Sequence, residues 1–438
     1  MEIDKTTLND LSIFNRDEDF SVFQKLNNTS TSNGRQQLIK NLSTPLPTTK
    51  AITEVQQTVQ LILAKENEWP AQITNGTIMV VERFYEYSFD PLPNRVSPFT
   101  AMSYKFMHGP DYSLIKYSII HCFDFIKGMQ IFADRFLQED CPAPLKKILE
   151  AAKKAVDVAP LQIITANNKS ADLSIPQQLQ LAQYIRYHYK NNMLALIAMH
   201  AQLDAWYGMA MTVKKYGLTF PAFVESKQPM LEVKGLYHIL LQQPIPYDVQ
   251  MDPASNFLFL TGANMAGKST FIKSVGTAVF LAHVGMGVPA QHMKLTVFDG
   301  MLSNINVIDN IVKGESYFYN EVQRIKATIT KINDGRKWLI LIDELFKGTN
   351  VQDAMKCSMA VIEGLIKIKN SLFILSTHLY EIGEDLKQYP NISFNFFETS
   401  SLNGQLNFSY QLREGISNDR LGYLILQREG VVDMLEKL

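Results

Sequence analysis

The run Gly262-Ala263-Asn264-Met265-Ala266-Gly267-Lys268-Ser269-Thr270 constrains this chain more than any other part of it. It fits the pattern G-x-x-x-x-G-K-[ST], in which each residue type has a mechanical reason. Glycines at 262 and 267 let backbone N–H groups close around phosphate oxygens. A helix that starts at the phosphates turns the positive end of its dipole toward their charge. A lysine at 268 reaches the β and γ phosphates of a nucleoside triphosphate, and a hydroxyl at 269 is a magnesium ligand. The flanks agree, because the apolar run Phe257 to Leu260 precedes the loop and Phe271-Ile272-Lys273 opens a helix after it. Strand, tight loop and helix predict an α/β domain with ATP and Mg2+ as cofactors. Gly262, Asn264, Met265, Gly267, Lys268, Ser269 and Thr270 are the expected nucleotide-binding residues.

Two further apolar runs end in polar residues, as parallel strands do where a sheet meets its ligand. Leu339-Ile340-Leu341-Ile342 leads into Asp343-Glu344. The first carboxylate is placed to hold magnesium together with Ser269, and the second to orient or deprotonate an attacking water. Leu372 to Thr377 leads into His378, within reach of the γ-phosphate or the water, although a lone histidine is more often structural. Gly314-Glu315-Ser316-Tyr317-Phe318, with Glu321, reads by itself as a helix start capped by Ser316. Ile392 to Phe397 and Leu406 to Gln411 flank Asn403-Gly404, a hairpin signal.

The remainder is bounded by composition. A chain of 438 residues with 46% hydrophobic and 19% charged residues is folded and exceeds one core. A net charge of -1 excludes a strongly basic surface on average, though not a local basic patch. Cys122, Cys141 and Cys357 form no CxxC, which predicts reduced thiols in a cytoplasm rather than disulfides or a zinc site. The polar start, Met1 to Asn9, is not a signal peptide. The longest apolar stretch, Val275 to Ala290, is interrupted by glycines and Pro289, so no membrane span is expected. Residues 1 to 235 read as helical, with helices over Ile52 to Leu63, Ser113 to Leu137 and Pro144 to Val158. The prolines between 70 and 110 predict loops and short helices there. The longest helix is expected between Pro176 and Pro221, with Leu194, Leu203, Trp206 and Met209 on its core-facing stripe.

Together these motifs resemble the MutS family of DNA mismatch repair ATPases. The phosphate loop carries the family's Asn-Met, and Val288-Pro289-Ala290 resembles its V-P-A segment. Asp309-Asn310-Ile311 through Gly314, Ser316, Phe318 and Glu321 is similar to D-D-x-x-x-G-x-S-T-F-x-x-E. Asp343-Glu344-Leu345, Gly348-Thr349 and Asp353 resemble D-E-x-x-x-G-T-x-x-x-D, and Thr377-His378 resembles the T-H switch. Gly415-Ile416 and Leu421-Gly422-Tyr423 are similar to a C-terminal P-G-I and Y-G-I element. In the first half, Leu26-Asn27, Thr29, Thr31, Gly34-Arg35 and Pro45-Leu46 resemble the start of the family's lever and core region.

The resemblance implies an α plus α/β fold: a helical lever/core domain over 1 to 235, then an ABC-type P-loop ATPase domain over 236 to 438 with a mixed, mostly parallel sheet. It implies a homodimer with composite ATP sites, in which Glu344 and His378 act in one subunit and Ser316 of the other completes the site. It further implies a DNA clamp in mismatch repair or recombination. The chain begins at the lever, so the mismatch-reading and connector domains are expected to be missing. The expected DNA contact is then structure-specific, or made through another repair protein. An ATP-switched scaffold that binds a protein partner is the alternative. Two departures bear on the site: Pro244 stands where the family has an adenine-stacking aromatic, with Tyr247 as a substitute, and Leu236-Tyr237-His238-Ile239 replaces G-R-H-P. A transporter-type ATPase would carry an LSGGQ-like signature, which is absent, and a small-molecule kinase an arginine-bearing lid, which the arginine-poor stretch 262 to 335 disfavours.

Overall fold

The computed structural model describes the chain except residues 16, 18–19, 264, 307–316, 403–404, 418–430 and 437–438. It divides into two compact units, one formed by Met1–Lys25, Thr44–Thr53 and Tyr216–Leu438, the other by Leu26–Ser43 and Glu54–Lys215. This division differs from a single cut after residue 235. The first residues join the α/β unit because Glu2–Ile3 adds a strand to its sheet, and residues from Tyr216 onward belong with it because they supply strands of a second sheet.

The strands of the α/β unit are β1 (Glu2–Ile3), β2 (Ala222–Phe223), β3 (Leu231–Leu236), β4 (Tyr247–Met251), β5 (Phe257–Thr261), β6 (His292–Leu295), β7 (Gly300–Asn304), β8 (Trp338–Asp343), β9 (Ser371–Ser376), β10 (Ile392–Leu402) and β11 (Gln405–Glu414). Seven of them form one sheet in the order β1-β7-β8-β9-β5-β10-β11, parallel except for the β10–β11 hairpin. The other four form a smaller sheet, β2-β6-β3-β4. Strands β5, β7, β8 and β9 are buried at every position, which is why they read as unbroken apolar runs rather than alternating ones. The helix Lys268–His283 packs close against this sheet at Gly276, where a Cβ would lie 2.6 Å from both Leu341 Cδ1 and Leu11 Cδ2. That close approach sets the phosphate loop beside the end of β8.

The helical unit is built around the long helices Gly109–Phe136 and Lys190–Tyr216. Trp69 stacks on Tyr207 at 4.4 Å and meets Phe132 edge-on at 4.7 Å. Buried Asp204 accepts from Ser30 N, Thr31 N and Thr31 Oγ1 at 2.7–2.9 Å, so it caps the helix Ser32–Ser43 from outside. Gly34 is required there, since a Cβ would fall 2.0 Å from Asp204 Oδ2.

The single helix expected between 176 and 221 is instead two, Ile175–His188 and Lys190–Tyr216. Tyr189 leaves helical geometry, with φ -115° and ψ 2°. Its ring is fully buried and its hydroxyl donates to Ala155 O, so tertiary packing breaks a helix that holds no proline or glycine at that point. Leu203, Trp206 and Met209 are buried as expected, but Leu194 is exposed. The longest helix is Gly109–Phe136. The hairpin forms as expected, although its turn, Asn403-Gly404, lies outside the described residues.

Candidate nucleotide site

The phosphate loop follows β5 directly and ends in the helix Lys268–His283. Gly262 has φ +133° and Gly267 has φ +111°, values that a side chain rarely tolerates. Met265, between them, is also left-handed at φ +68° and is exposed. Lys268 is buried, and its Nζ donates to Gly262 O at 2.7 Å and Ala263 O at 3.0 Å. Burial pushes its ammonium below the usual lysine value, while the Glu344 and Asp343 carboxylates pull it back up.

Parallel pairing brings the carboxylates in. β8 pairs with β9, and β9 with β5, so the ends of all three strands lie side by side. Asp343, the last residue of β8, accepts from Ser269 Oγ at 2.5 Å and from Ser376 Oγ. Glu344 follows with φ +64°, and Phe346 with φ +59°. Two non-glycine residues in this region store roughly 1–3 kcal/mol each, as backbone at ligand sites often does. Glu344 N donates to Ser376 O at 2.9 Å, which anchors the turn. His378 Nδ1 lies 3.8 Å from Glu344 Oε2, an ion-pair rather than a hydrogen-bond separation, and Lys347 Nζ lies at 3.2 Å. The His378 imidazole and the Lys347 ammonium, against the opposing effect of burial, hold the Glu344 carboxyl down at about 2. It is therefore an anion at any physiological pH.

Glu321 supports the same turn from behind. Its buried carboxylate accepts from Lys347 N and Gly348 N, both at 3.3 Å, and burial raises its pKa against those bonds. Gly348-Thr349 and the Asn350 side-chain cap then start the helix Val351–Leu365.

A cleft of about 590 Å³ opens over this arrangement, lined by the loop residues Ala263, Met265, Gly267, Lys268, Ser269 and Thr270, with Glu344 at its floor. Two oxygen groups already in contact, Ser269 Oγ and Asp343 Oδ2, suit a hard cation such as Mg2+.

Residues 258–434 match the family described as MutS domain V. This part of the chain resembles that domain of the MutS family. The chain is similar to the DNA mismatch repair protein MutS of Thermotoga maritima, 28% identical over 276 residues, which is 62% of this chain and 34% of that protein. It is also similar to the protein of the same name from Lactococcus lactis subsp. cremoris, 26% identical over 283 residues (62% and 33%). The Pseudothermotoga lettingae protein of that name is 28% identical over 300 residues (68% and 34%). The chain thus spans about a third of the length of these MutS relatives.

Of the residues expected at the nucleotide site, Gly262, Gly267, Lys268, Ser269, Asp343, Glu344 and His378 lie together at the ends of β5, β8 and β9. Asn264 and Ser316 lie outside the described residues. Val288-Pro289-Ala290 is buried and pairs with Thr219 and Tyr237, well into the small sheet's surroundings. Among the described residues, no helix is long and apolar enough to cross a membrane.

Sequence reasoning offered Tyr247 in place of the missing aromatic at Pro244. Tyr247 does line the cleft, but it is buried and wedged edge-on between Phe271 (5.5 Å) and Phe397 (5.6 Å). Tyr410 was missed. It lines the same cleft, stays 41% exposed, and has φ +52°. A Cβ on Gly267 would stand 3.4 Å from its Cδ1. An exposed ring against a phosphate loop is a stacking platform for a base, and such stacking is worth roughly 1–3 kcal/mol per base. Tyr410→Ala is therefore expected to weaken nucleotide binding by about 5- to 150-fold, with Tyr410→Phe near wild type, in a fluorescent-nucleotide titration.

Proposed function

We propose that this chain is a MutS-family member that binds ATP with Mg2+ in the cleft and hydrolyses it, as one half of a homodimer that acts on DNA in mismatch repair or recombination. The observation that carries the reading is the joint presence, at one cleft, of Lys268, the Ser269–Asp343 oxygen pair and an ionised Glu344. Lys268 and the loop's N–H groups bind the β and γ phosphates. Ser269 and Asp343 hold the ion, whose charge offsets that developing on the phosphoryl oxygens. Glu344 accepts a hydrogen bond from the attacking water and aligns it with the γ-phosphate. Held near pKa 2, Glu344 is a poor proton acceptor, so orientation is its contribution, which suits a loose phosphoryl transition state. His378, half-exposed with its Nδ1 3.8 Å from Glu344 Oε2, is the side chain proposed to contact the γ-phosphate or the attacking water.

The second half of the site is proposed to come from the partner. A helix start offers N–H groups and a positive dipole end to a γ-phosphate, and Ser316 precedes the helix Tyr317–Ile332. Mixing Lys268→Ala with Ser316→Ala subunits under exchange rebuilds one intact site in half of the dimers. Activity is expected to return to about a quarter of wild type for independent sites in a two-fold dimer. No recovery despite demonstrated exchange would remove the composite site.

DNA contact is supported by the helix Ala143–Val156. It buries Leu145, Leu149, Ala152 and Val156 and leaves Lys146, Lys147, Lys153 and Lys154 exposed, two turns apart on one side. Lysine contacts to phosphates position a protein without reading sequence, which favours recognition of DNA structure. A salt titration of binding to duplex, mismatched and four-way DNA is expected to give a steep slope with a preference for the branched form. A flat slope would favour the second reading, an ATP-switched scaffold. One observation supports that reading: the helix Pro98–Met107 leaves Phe99, Met102, Phe106 and Met107 exposed, a stripe suited to a protein partner, including another repair protein.

A further inference from the structure

We infer that Glu321 is a positioning residue for hydrolysis: from the helix Tyr317–Ile332 it fixes the turn that follows β8 and, through Lys347, the carboxylate of Glu344. The inference rests on the reading of Glu344 as the group that aligns the attacking water.

The turn runs from Asp343, the end of β8, to Asn350, which caps the helix Val351–Leu365. Two of its residues, Glu344 and Phe346, are left-handed without being glycine. Backbone of this kind persists only where its surroundings over-determine it. Glu344 N holds one end by donating to Ser376 O at 2.9 Å. The Asn350 side chain holds the other by accepting from Asp353 N at 3.0 Å. Neither bond reaches the middle.

Glu321 holds the middle. It is 4% exposed, and its two carboxylate oxygens are divided between consecutive backbone donors. Lys347 N donates to Oε1 and Gly348 N to Oε2, each at 3.3 Å. The Phe346 N–H also bonds this carboxylate and, with the other two, works against the effect of burial on its pKa. Three successive N–H groups turned toward one anion form a concavity suited to a negative charge. Phe318, one helical turn before Glu321, adds a ring contact with Phe346 at 5.6 Å between centroids. An apolar residue at 321 would pack the helix without the cost of burying a charge, but it would leave those N–H groups unsatisfied.

The consequence reaches Glu344 through Lys347. The N–H that Glu321 receives belongs to the residue whose Nζ lies 3.2 Å from Glu344 Oε2. Glu321 thereby sets where the Lys347 side chain starts, and Lys347 sets where the Glu344 carboxylate points. Glu321 is absent from the lining of the cleft, so it acts on the reaction through this turn and not by touching the nucleotide.

Glu321→Gln tests the inference. The amide keeps the shape but turns an NH2 group toward one of the two backbone donors, so a bond to a charged acceptor is lost. The variant is expected to bind a fluorescent ATP analogue within about twofold of wild type and to hydrolyse ATP at least about tenfold more slowly in a single turnover, the scale of one such bond. A general loosening of the fold moves affinity too, so an affinity loss as large as the turnover loss would overturn the inference. The double variant decides the route. In a Glu344→Gln background, Glu321→Gln should change turnover by less than about twofold, because the group it positions is already gone. A second loss of about tenfold there would reveal a route that bypasses Glu344 and overturn the inference.

Glu344→Gln with wild-type turnover removes the water-aligning reading, and this inference with it. Impaired Glu344→Gln together with wild-type turnover in Glu321→Gln overturns the Glu321 inference alone. If Glu321→Gln chains do not fold, the decision passes to Glu321→Ala, which sets no NH2 group against a backbone donor and must give the same selective loss of turnover. Failure of both variants to fold would make Glu321 a structural residue and overturn the inference.

Discussion

Lys268→Ala is expected to abolish measurable ATP binding. The phosphate loop buries this lysine, and its Nζ sits among the loop carbonyls Gly262 O and Ala263 O. Its charge is set against Asp343 and Glu344, two carboxylates that would otherwise repel a triphosphate. Removing it costs two or more charge-assisted hydrogen bonds to phosphate, at roughly 1.5–3 kcal/mol each. The repulsion left behind adds to that loss. An affinity loss of at least about 100-fold follows. Lys268→Arg is not a conservative control, because a planar guanidinium does not fit a space shaped for a compact ammonium. Calorimetric titration with ATP and Mg2+ measures the effect, and circular dichroism checks that the helix Lys268–His283 survives. Affinity within tenfold of wild type would mean that the triphosphate lies elsewhere.

Why this site was legible while other parts were not is a matter of how local the physics is. A phosphate loop must be contiguous, since its N–H groups, lysine and hydroxyl all serve one phosphate chain, so Gly262 to Thr270 declares itself. Asp343 and Glu344 end a strand buried on both faces, and although solvated acids at a strand end are common, their place downstream of a phosphate loop singles them out. Tyr410 gave no such signal. Alternation identifies β11 as a strand, but which residue meets Gly267 depends on a hairpin register and on pairing between β10 and β5. The strand Glu2–Ile3 was invisible for the same reason: two residues carry no period, and their partner is Gly300–Met301. The break at Tyr189 was missed because no proline or glycine marks it; a buried ring and a distant carbonyl decide it. Glu321 stood out in the sequence only as part of a motif resemblance, with no role attached, and only the folded chain reveals it bonded to Lys347 N and Gly348 N.

Glu344→Gln is expected to leave ATP bound and unhydrolysed. The amide keeps the shape and one acceptor oxygen, so the cleft and the phosphate contacts through Lys268 and Ser269 persist. What it loses is the negative charge, and with it the attraction of Lys347 at 3.2 Å and His378 at 3.8 Å. A water left unaligned costs on the order of 10²-fold, as misplaced reacting groups do, and turnover should fall by at least that order. Affinity should hold or rise, because a carboxylate near the γ-phosphate charge is removed. The depressed Glu344 pKa adds a pH test. A carboxyl lowered to about 2 is ionised throughout the neutral range, so wild-type turnover should show no acid limb attributable to Glu344 between about pH 5 and 8. An acid limb in that range would report another group, and its disappearance in Glu344→Gln would show that the carboxyl titrates far above its expected position. Single-turnover hydrolysis, measured with ATP binding on the same samples, separates the two effects. Turnover near wild type in Glu344→Gln would move water activation to His378, and His378→Ala would then have to carry the loss.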